Sequence, residues 1–389
     1  MLYQASLFSQ VLSLIDRGHF ASSVQALHAE KASKGFTCWG QLVAMLFCQL
    51  AQAKSLREIV QGLRSCEGKI NHLGIPESPK RSTLSYANAH RPWQLYQKVF
   101  YALLERCMAV APAKKFRFKN KLLTMDATII ELCASMFDWA KFRQAKGALK
   151  VHLLLDHDGY LPVFAHITEG REHELLTVRK LHFGRGTIVV FDRAYIDYKL
   201  FAAWTKQGVF FVTRLKENAN VTVVEHREPP KGSSIRKDET IILNFWSSTW
   251  PCKAPLRRVE VWVEEKQETL VLLTNNFRLS ARTIAAIYKD RWQVELFFKA
   301  LKQNLRVKTF VGTSTNAVHI QIWTALIAIL LLKYLQFRSS LSWALSNLVA
   351  LLRWNLFTYR DLWEWINKPF ETPPGTPVSE QMMLVLDSR

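Results

Sequence analysis

Residues 187–195 have the sequence Thr-Ile-Val-Val-Phe-Asp-Arg-Ala-Tyr, and residues 122–128 have the sequence Leu-Leu-Thr-Met-Asp-Ala-Thr. Each stretch contains a short apolar run, typical of a buried β-strand, and the run ends at an aspartate. An unpaired buried carboxylate is costly, so Asp126 and Asp192 each need a counter-charge. A divalent metal ion would relieve the repulsion between two such carboxylates on neighbouring strands. For either aspartate alone, capping of the turn or helix that follows it explains the pattern equally well.

The segments around these two strands predict an α/β layer. Val151–Leu155 and Leu161–Ile167 flank the turn sequence Asp156-His157-Asp158-Gly159, which predicts a β-hairpin. Farther along, predicted helices alternate with buried strands, as expected for an α/β sheet. Between Glu217 and Asn276 the helical pattern disappears, and four short strands separated by polar turns predict a β-rich insertion.

Both ends of the chain have helical patterns. Apolar residues recur at spacings of three and four from Ser6 to Cys107, with breaks at Gly35 and Gly74. Ser280 is predicted to cap a long helix that runs to about Asn304, and two or three apolar helices follow, through Trp365. The Pro-rich segment Lys368–Pro377 predicts an extended tail.

The charge of the chain points to a polyanionic partner. The 389 residues carry a net charge of +20, and 49% of them are hydrophobic, which excludes a disordered or collagen-like chain. Residues 1–121 hold seventeen lysines and arginines against six acidic residues, and Lys114–Lys121 places five cations in eight residues. This segment predicts a linker or edge strand that contacts phosphates, or a solvated connection. Double-stranded DNA is the leading partner; a ribosome or an anionic membrane is the milder alternative.

The cysteines and the longest apolar run favour a cytoplasmic protein. The six cysteines form no C-x-x-C pair, so we expect reduced thiols in a core. The first twenty residues lack the basic segment and apolar run of a secretory signal. The run Ala325–Leu332 has eight residues, far fewer than the roughly twenty of a membrane span, and predicts a buried helix.

A third acidic residue lies on the long predicted helix. Tyr288, Arg291, Glu295 and Lys302 follow one another at steps of three, four and seven residues. At about 100° per residue they fall within an arc of roughly 60° on the helix surface. Surface salt bridges alone can produce such spacing. Beside two aspartates at strand ends, however, this arc favours a functional site.

These motifs resemble those of the DDE transposases of bacterial insertion sequences, specifically the insertion-sequence-4 family. The family pattern Tyr-x2-Arg-x3-Glu-x6-Lys is matched without a gap by Tyr288, Arg291, Glu295 and Lys302. Its Asp-x-Thr motif is matched at Asp126, and its second aspartate motif at Asp192. The resemblance covers residues 121–333, roughly.

The resemblance implies a ribonuclease-H-like catalytic core with a β-rich insertion between Asp192 and Glu295. It also implies that Asp126, Asp192 and Glu295 are catalytic and hold two Mg²⁺ ions, for which Mn²⁺ can substitute, and that Tyr288, Arg291 and Lys302 bind DNA. The expected activity is cleavage at terminal inverted repeats, through hairpin ends, and strand transfer into target DNA by a homodimer. Five segments are expected. Residues 1–113 form a helical N-terminal domain that binds DNA ends, residues 114–215 the first part of the catalytic core, and residues 216–278 the β-rich insertion. Residues 279–337 form the core helices that carry the glutamate, and residues 338–389 the C-terminal helices and tail.

Two other functions remain open from the sequence. The first is a transposase-derived DNA-binding protein that no longer cuts, which the intact acidic triad disfavours. The second is another ribonuclease-H-like nuclease, such as a junction resolvase, which the Tyr288–Lys302 pattern and the insertion disfavour. No Walker motif, dinucleotide-binding glycine pattern or nucleophile elbow supports an unrelated enzyme.

Overall fold

A mixed β-sheet forms the centre of the protein, and helices from both ends of the chain pack beside it. The computed structural model describes residues 5–371, apart from residues 32, 34, 67, 113–114, 134–140, 144–145, 171–173, 245–253 and 305–309. Within these ranges ten strands belong to one sheet: β1 (Leu122–Cys133), β2 (Lys141–Arg143), β3 (Lys146–Asp156), β4 (Leu161–Glu169), β5 (Ile188–Val190), β6 (Phe210–Arg214), β7 (Val221–Arg227), β8 (Ile235–Leu243), β9 (Leu256–Val263) and β10 (Glu268–Thr274).

The strand order is β2–β3–β1–β5–β6–β10–β9–β8–β7, with β4 also paired to β3. Strands β1, β5 and β6 are parallel, whereas β3 runs antiparallel to both β1 and β4. The predicted hairpin around residues 156–159 is therefore confirmed. In the parallel pair, Thr124 of β1 lies opposite Val190 of β5. Asp126 and Asp192 each come two residues later, just beyond the paired segment of β1 and β5, so this register brings the two aspartates close together. Asp192 follows the end of β5 as predicted, whereas the strand end predicted at Asp126 is wrong, because β1 continues to Cys133 and pairs with β3 from Leu123 onward.

The four strands of the predicted insertion do not form a separate sheet. Strand β10 pairs antiparallel with β6, and β9, β8 and β7 continue outward from it. A buried ion pair joins two of these strands, because Arg257 Nη2 lies 2.7 Å from Asp238 Oδ2. The same guanidinium donates to the carbonyl of Leu279, immediately before the next helix begins. The insertion therefore extends the central sheet and holds the start of that helix.

The predicted long helix after Ser280 is two helices, α9 and α10, separated at Arg291. Ser280 caps the first, since its hydroxyl accepts a hydrogen bond from the Thr283 amide. Arg291 keeps right-handed helical angles, φ −52° and ψ −31°, so the interruption is slight. The α-helices in the described ranges are α1 (Leu7–Leu12), α2 (Arg17–Ala26), α3 (Cys38–Leu50), α4 (Leu56–Ser65), α5 (Arg81–His90), α6 (Gln94–Ala109), α7 (Glu174–Val178), α8 (Tyr198–Gln207), α9 (Ala281–Asp290), α10 (Trp292–Asn304), α11 (Thr315–Arg338), α12 (Leu345–Asn355) and α13 (Leu362–Asn367).

The N-terminal and C-terminal helices share one hydrophobic core built around α11. This helix packs against α3, α5, α6 and α12, and the amide of Phe8 donates to the carbonyl of Leu356. By length and composition α11 could cross a membrane, but most of its apolar window is buried inside the protein. The buried helix predicted at Ala325–Leu332 is therefore confirmed. Of the predicted extended tail, residues 372–377 lie outside the described residues.

Candidate active site

The carboxylates of Asp126, within β1, and Asp192, just after β5, are held by the backbone that follows them. Asp126 Oδ1 accepts a hydrogen bond of 2.8 Å from the Ala127 amide, and Asp192 Oδ1 accepts one of 2.7 Å from the Arg193 amide. Asp192 thereby caps a short 3-10 turn, so it has the capping role that the sequence left open. Each carboxylate keeps its second oxygen for another partner.

Arg291 joins β1 to the helix that carries the third carboxylate. Its Nη2 donates to Glu295 Oε1 at 2.6 Å, one helical turn farther along, and its Nη1 lies 3.6 Å from Asp126 Oδ2. The Arg291 side chain is only 13% exposed, so these charges interact with little screening by solvent. The guanidinium therefore bridges Asp126 and Glu295, two residues 169 positions apart in the sequence.

The charges of the other two carboxylates both act on Asp126. Its pKa is raised to about 6, mainly by burial and in smaller part by the negative charges of Glu295 and Asp192, against the opposing effects of the Ala127 amide and Arg291. Desolvation raises a carboxyl pKa because it disfavours the charged form. Asp126 is thus a destabilised carboxylate that would gain from an additional cation.

Tyr288 and Lys302 lie on either side of this cluster along α9 and α10. The pKa of Tyr288 is raised to about 12, mainly by burial and in smaller part by the charge of Asp192. The Arg291 guanidinium lies 5.8 Å from the Tyr288 ring centre, a cation–π contact. Lys302 is half-buried in the last turn of α10, two turns beyond Glu295. Five of the six predicted site residues therefore interact with one another directly or through their charges. The sixth, Lys302, lies two turns beyond Glu295 on α10.

The donor set has the chemistry that a hard divalent cation needs. Three carboxylates supply oxygen ligands, which Mg²⁺ prefers, and together they carry more negative charge than Arg291 neutralises. Within the described part of the chain, no three acidic, imidazole or thiol side chains are close enough to hold an ion in the present arrangement. Arg291 supplies the positive charge between Asp126 and Glu295 instead. The donor types therefore suit a hard divalent cation, but their present positions do not form a metal site in the described residues.

A buried polar network lies next to the site and was missed by the sequence reasoning. Asp290, the neighbour of Arg291, accepts hydrogen bonds from Lys115 Nζ at 2.5 Å, from His157 Nδ1 at 2.6 Å and from the Tyr160 hydroxyl at 3.1 Å. His157 Nε2 is 2.6 Å from the hydroxyl of Thr124, two residues before Asp126. The network therefore connects β1 to the α9–α10 junction.

The network also changes the interpretation of the basic segment Lys114–Lys121. Lys115 pairs with Asp290, and Lys121 Nζ lies 3.5 Å from Asp156 Oδ2. Burial alone would raise the pKa of Asp290, but hydrogen bonds from His157 and Lys115 lower it below its usual value. Two of the five cations predicted to contact phosphates thus form ion pairs within the protein.

Comparison with known proteins assigns the family. A family model described as the transposase DDE domain matches residues 117–331, and a second model, a domain of unknown function, matches residues 3–76. The first match spans more than half of the chain and contains all six predicted site residues. The chain belongs to the DDE transposases, enzymes that cleave and transfer DNA.

Individual transposases are similar over most of their length. A transposase of Sinorhizobium fredii, y4zB, is 32% identical over 78% of this chain and 83% of its own length. The transposase of insertion sequence element IS5377 from Geobacillus stearothermophilus is 29% identical over 65% of this chain and 67% of its own length. The protein is therefore a transposase of insertion-sequence type.

Among solved structures, the piggyBac transposase, determined by cryo-EM in a synaptic complex with hairpin DNA, matches with a TM-score of 0.41. The two chains are 12% identical, and the match covers 94% of this chain and 81% of the other.

Proposed function

We propose that this chain is the transposase of a bacterial insertion sequence of the insertion-sequence-4 family, with a ribonuclease-H-like catalytic core. It binds the terminal inverted repeats of its element, cleaves the DNA at their ends and joins those ends to target DNA. The observation that carries the proposal is the Arg291 bridge between Asp126 and Glu295, with Asp192 directly after the neighbouring strand β5.

Each acidic residue has a distinct role in this proposal. Asp126, which is subject to the charges of both other carboxylates, would be the ligand shared by two Mg²⁺ ions, and Asp192 and Glu295 would each hold one of them. When bound, the two ions activate the attacking water or 3′-hydroxyl and stabilise the leaving oxygen. Because Asp126 is destabilised by burial, it gains most from this neutralisation.

Tyr288, Arg291 and Lys302 bind the phosphates that flank the scissile bond. A guanidinium presents a planar fork of donors that matches a phosphate as well as a carboxylate. Arg291 is therefore suited to exchange one of its present carboxylate partners for a DNA phosphate. Lys302, two turns farther along α10, would contact a neighbouring phosphate as a point charge.

The proposal extends to assembly and location. The chain acts as a homodimer in a synaptic complex with two element ends, in the bacterial cytoplasm beside the nucleoid. Cleavage through hairpin ends is the expected route, as the family resemblance implies.

The test uses the full chain and duplexes taken from both borders of the element that encodes it. With Mg²⁺ we expect cleavage at the border, hairpin products on denaturing gels, and joining to a supercoiled plasmid. Mn²⁺ should support the same products. Cleavage at unrelated positions instead would indicate a general nuclease, and binding without cleavage would indicate a protein that no longer cuts.

A further inference from the structure

A basic cleft of about 860 Å³ lies between the start of α4 and the outer face of α5, away from the acidic site. Three exposed cations line it, and none of its lining residues is acidic. Phe310 and Val311, which follow α10, close one side of the cleft. The full lining is Lys54, Ser55, Leu56, Arg57, Arg81, Ser82, Ser85, Tyr86, Ala89, His90, Phe310 and Val311.

The outer face of α5 has the composition of a surface that contacts a polar, anionic ligand. Its residues recur at helical spacing: Arg81, Ser82, Ser85, Tyr86, Ala89 and His90. The Tyr86 ring is 66% exposed and stacks on His90 with ring centres 4.0 Å apart. A large ring this exposed contributes little to the core, whereas arginine, serine and tyrosine are common donors to DNA.

The opposite face of α5 is fixed to the rest of the protein by buried hydrogen bonds. Gln41 Nε2 donates to Asn88 Oδ1 at 2.8 Å, and both groups are buried. The Asn316 side chain, at the start of α11, donates to the carbonyls of Asn88 and Arg91. These bonds make α5 a rigid element that presents its outer face at a set angle, as a recognition helix requires.

We propose that α5 is the recognition helix for the element ends and enters the major groove with Ser82, Ser85 and Tyr86 facing the base edges. The backbone phosphates on either side of the groove are contacted by Lys54 and Arg57, at the start of α4, and by Arg81. A major groove about 12 Å wide admits one α-helix. This inference rests on the proposed function, because it names the surface through which the transposase recognises its ends.

Charge and position favour double-stranded DNA as the occupant. The cleft offers three exposed cations, and the neighbouring Glu58 carboxylate accepts a hydrogen bond from the Lys54 amide, so the lining residues as a whole complement a phosphate backbone. Its rim at Phe310 and Val311 belongs to the segment that leaves α10, the helix that carries Glu295. A strand of phosphate backbone lying in the cleft would therefore border Phe310 and Val311.

The experiment measures binding of the full chain to a duplex from the element border and to a shuffled duplex of equal composition, over a series of salt concentrations. Arg57→Ala and Arg81→Ala should each weaken binding to both duplexes about tenfold, since a charge-assisted contact is lost. Each should also lower the slope of log affinity against log salt by about one. The matched control is Lys98→Ala, which removes an exposed cation of α6 outside the cleft and should leave affinity unchanged.

A double variant tests base recognition. Ser85→Ala combined with Tyr86→Ala should reduce the preference for the border duplex over the shuffled duplex about tenfold, with little change in salt slope. Thermal unfolding of each variant confirms that the altered surface side chains leave the fold intact. Retention of the preference by this variant would overturn the assignment of α5 as the recognition helix.

The remaining outcomes separate the inference from the proposed function. If the wild-type chain prefers its own ends and the cleft variants bind as it does, the inference fails and the proposed function stands. A wild-type chain without any preference for its own ends would overturn both. Equal losses for Lys98→Ala and Arg81→Ala would show diffuse charge attraction, and the inference would fail.

Discussion

Replacing Asp290 with asparagine removes the charge from a carboxylate that is only 4% exposed and that joins β1, the hairpin turn and the α9–α10 junction. Loss of one partner from a buried ion pair typically costs about 3–5 kcal/mol. Because the Lys115 ammonium is half-exposed and can turn to water, we expect the low end, about 3 kcal/mol of unfolding free energy. Urea unfolding followed by tryptophan fluorescence measures this loss.

The pH dependence gives a second measurement of the same variant. Since hydrogen bonds from His157 and Lys115 hold the folded-state pKa of Asp290 below its usual value, its contribution to stability is complete at neutral pH. It is lost as the pH falls through the lowered pKa, so the stabilities of wild type and variant should converge below about pH 4. End cleavage should also be slowed more than end binding, because Arg291 is the next residue.

Glu265→Gln is the matched control. Glu265 forms an ion pair with Lys289, which lies on α9 one residue before Asp290. That pair is exposed on both sides, with 3.1 Å between Lys289 Nζ and Glu265 Oε1, and we expect no measurable change in stability. An Asp290→Asn variant with the stability and cleavage rate of the wild type would refute the argument that the buried network positions the site.

Three further predictions concern the signature helix and the shared core. Arg291→Ala and Lys302→Ala should each slow cleavage in a time course far more than they weaken binding in footprinting. The reason is that each removes contacts worth about 1.5–3 kcal/mol at the scissile phosphates only. Equal losses of cleavage and of binding would assign both cations to general DNA affinity. Tyr288→Phe keeps the ring and deletes only the hydroxyl, so the same time course should show a smaller loss, and full activity would exclude a role for that hydroxyl. Trp323→Ala empties a buried site that contacts the Trp93 ring and should lower unfolding free energy by about 3–5 kcal/mol in urea, whereas a loss below 1 kcal/mol would contradict the shared core.

Local patterns in the sequence predicted the parts of the fold that local physics determines. The turn at residues 156–159 and the apolar runs beside it predicted the hairpin, and Ser280 predicted the helix start. The helical arc of residues 288–302 predicted that Arg291 and Glu295 share a face, and their 2.6 Å contact follows from the i, i+4 spacing. These features depend on residues a few positions apart.

The features that the sequence did not predict depend on distant partners. Short strands were evident in the insertion, but strand patterning does not indicate which edge they pair with, so their attachment to β6 through β10 was not foreseen. His157 lies in a turn sequence and Asp290 in a helix, 133 residues later, and nothing local links the two. The interruption at Arg291 lacks a proline or glycine signal.

The central claim is that Asp126, Asp192 and Glu295 form one metal-dependent catalytic centre. Its most direct test is the rate of strand cleavage by Asp126→Ala, Asp192→Ala and Glu295→Ala on duplexes from the element border, with Mg²⁺, beside a binding measurement on the same duplexes. We expect each variant to lose cleavage, as the wild type does with a chelator, while end binding stays near the wild-type level because cationic contacts supply the affinity. Near-normal cleavage by any one variant would remove that residue from the centre and contradict the account.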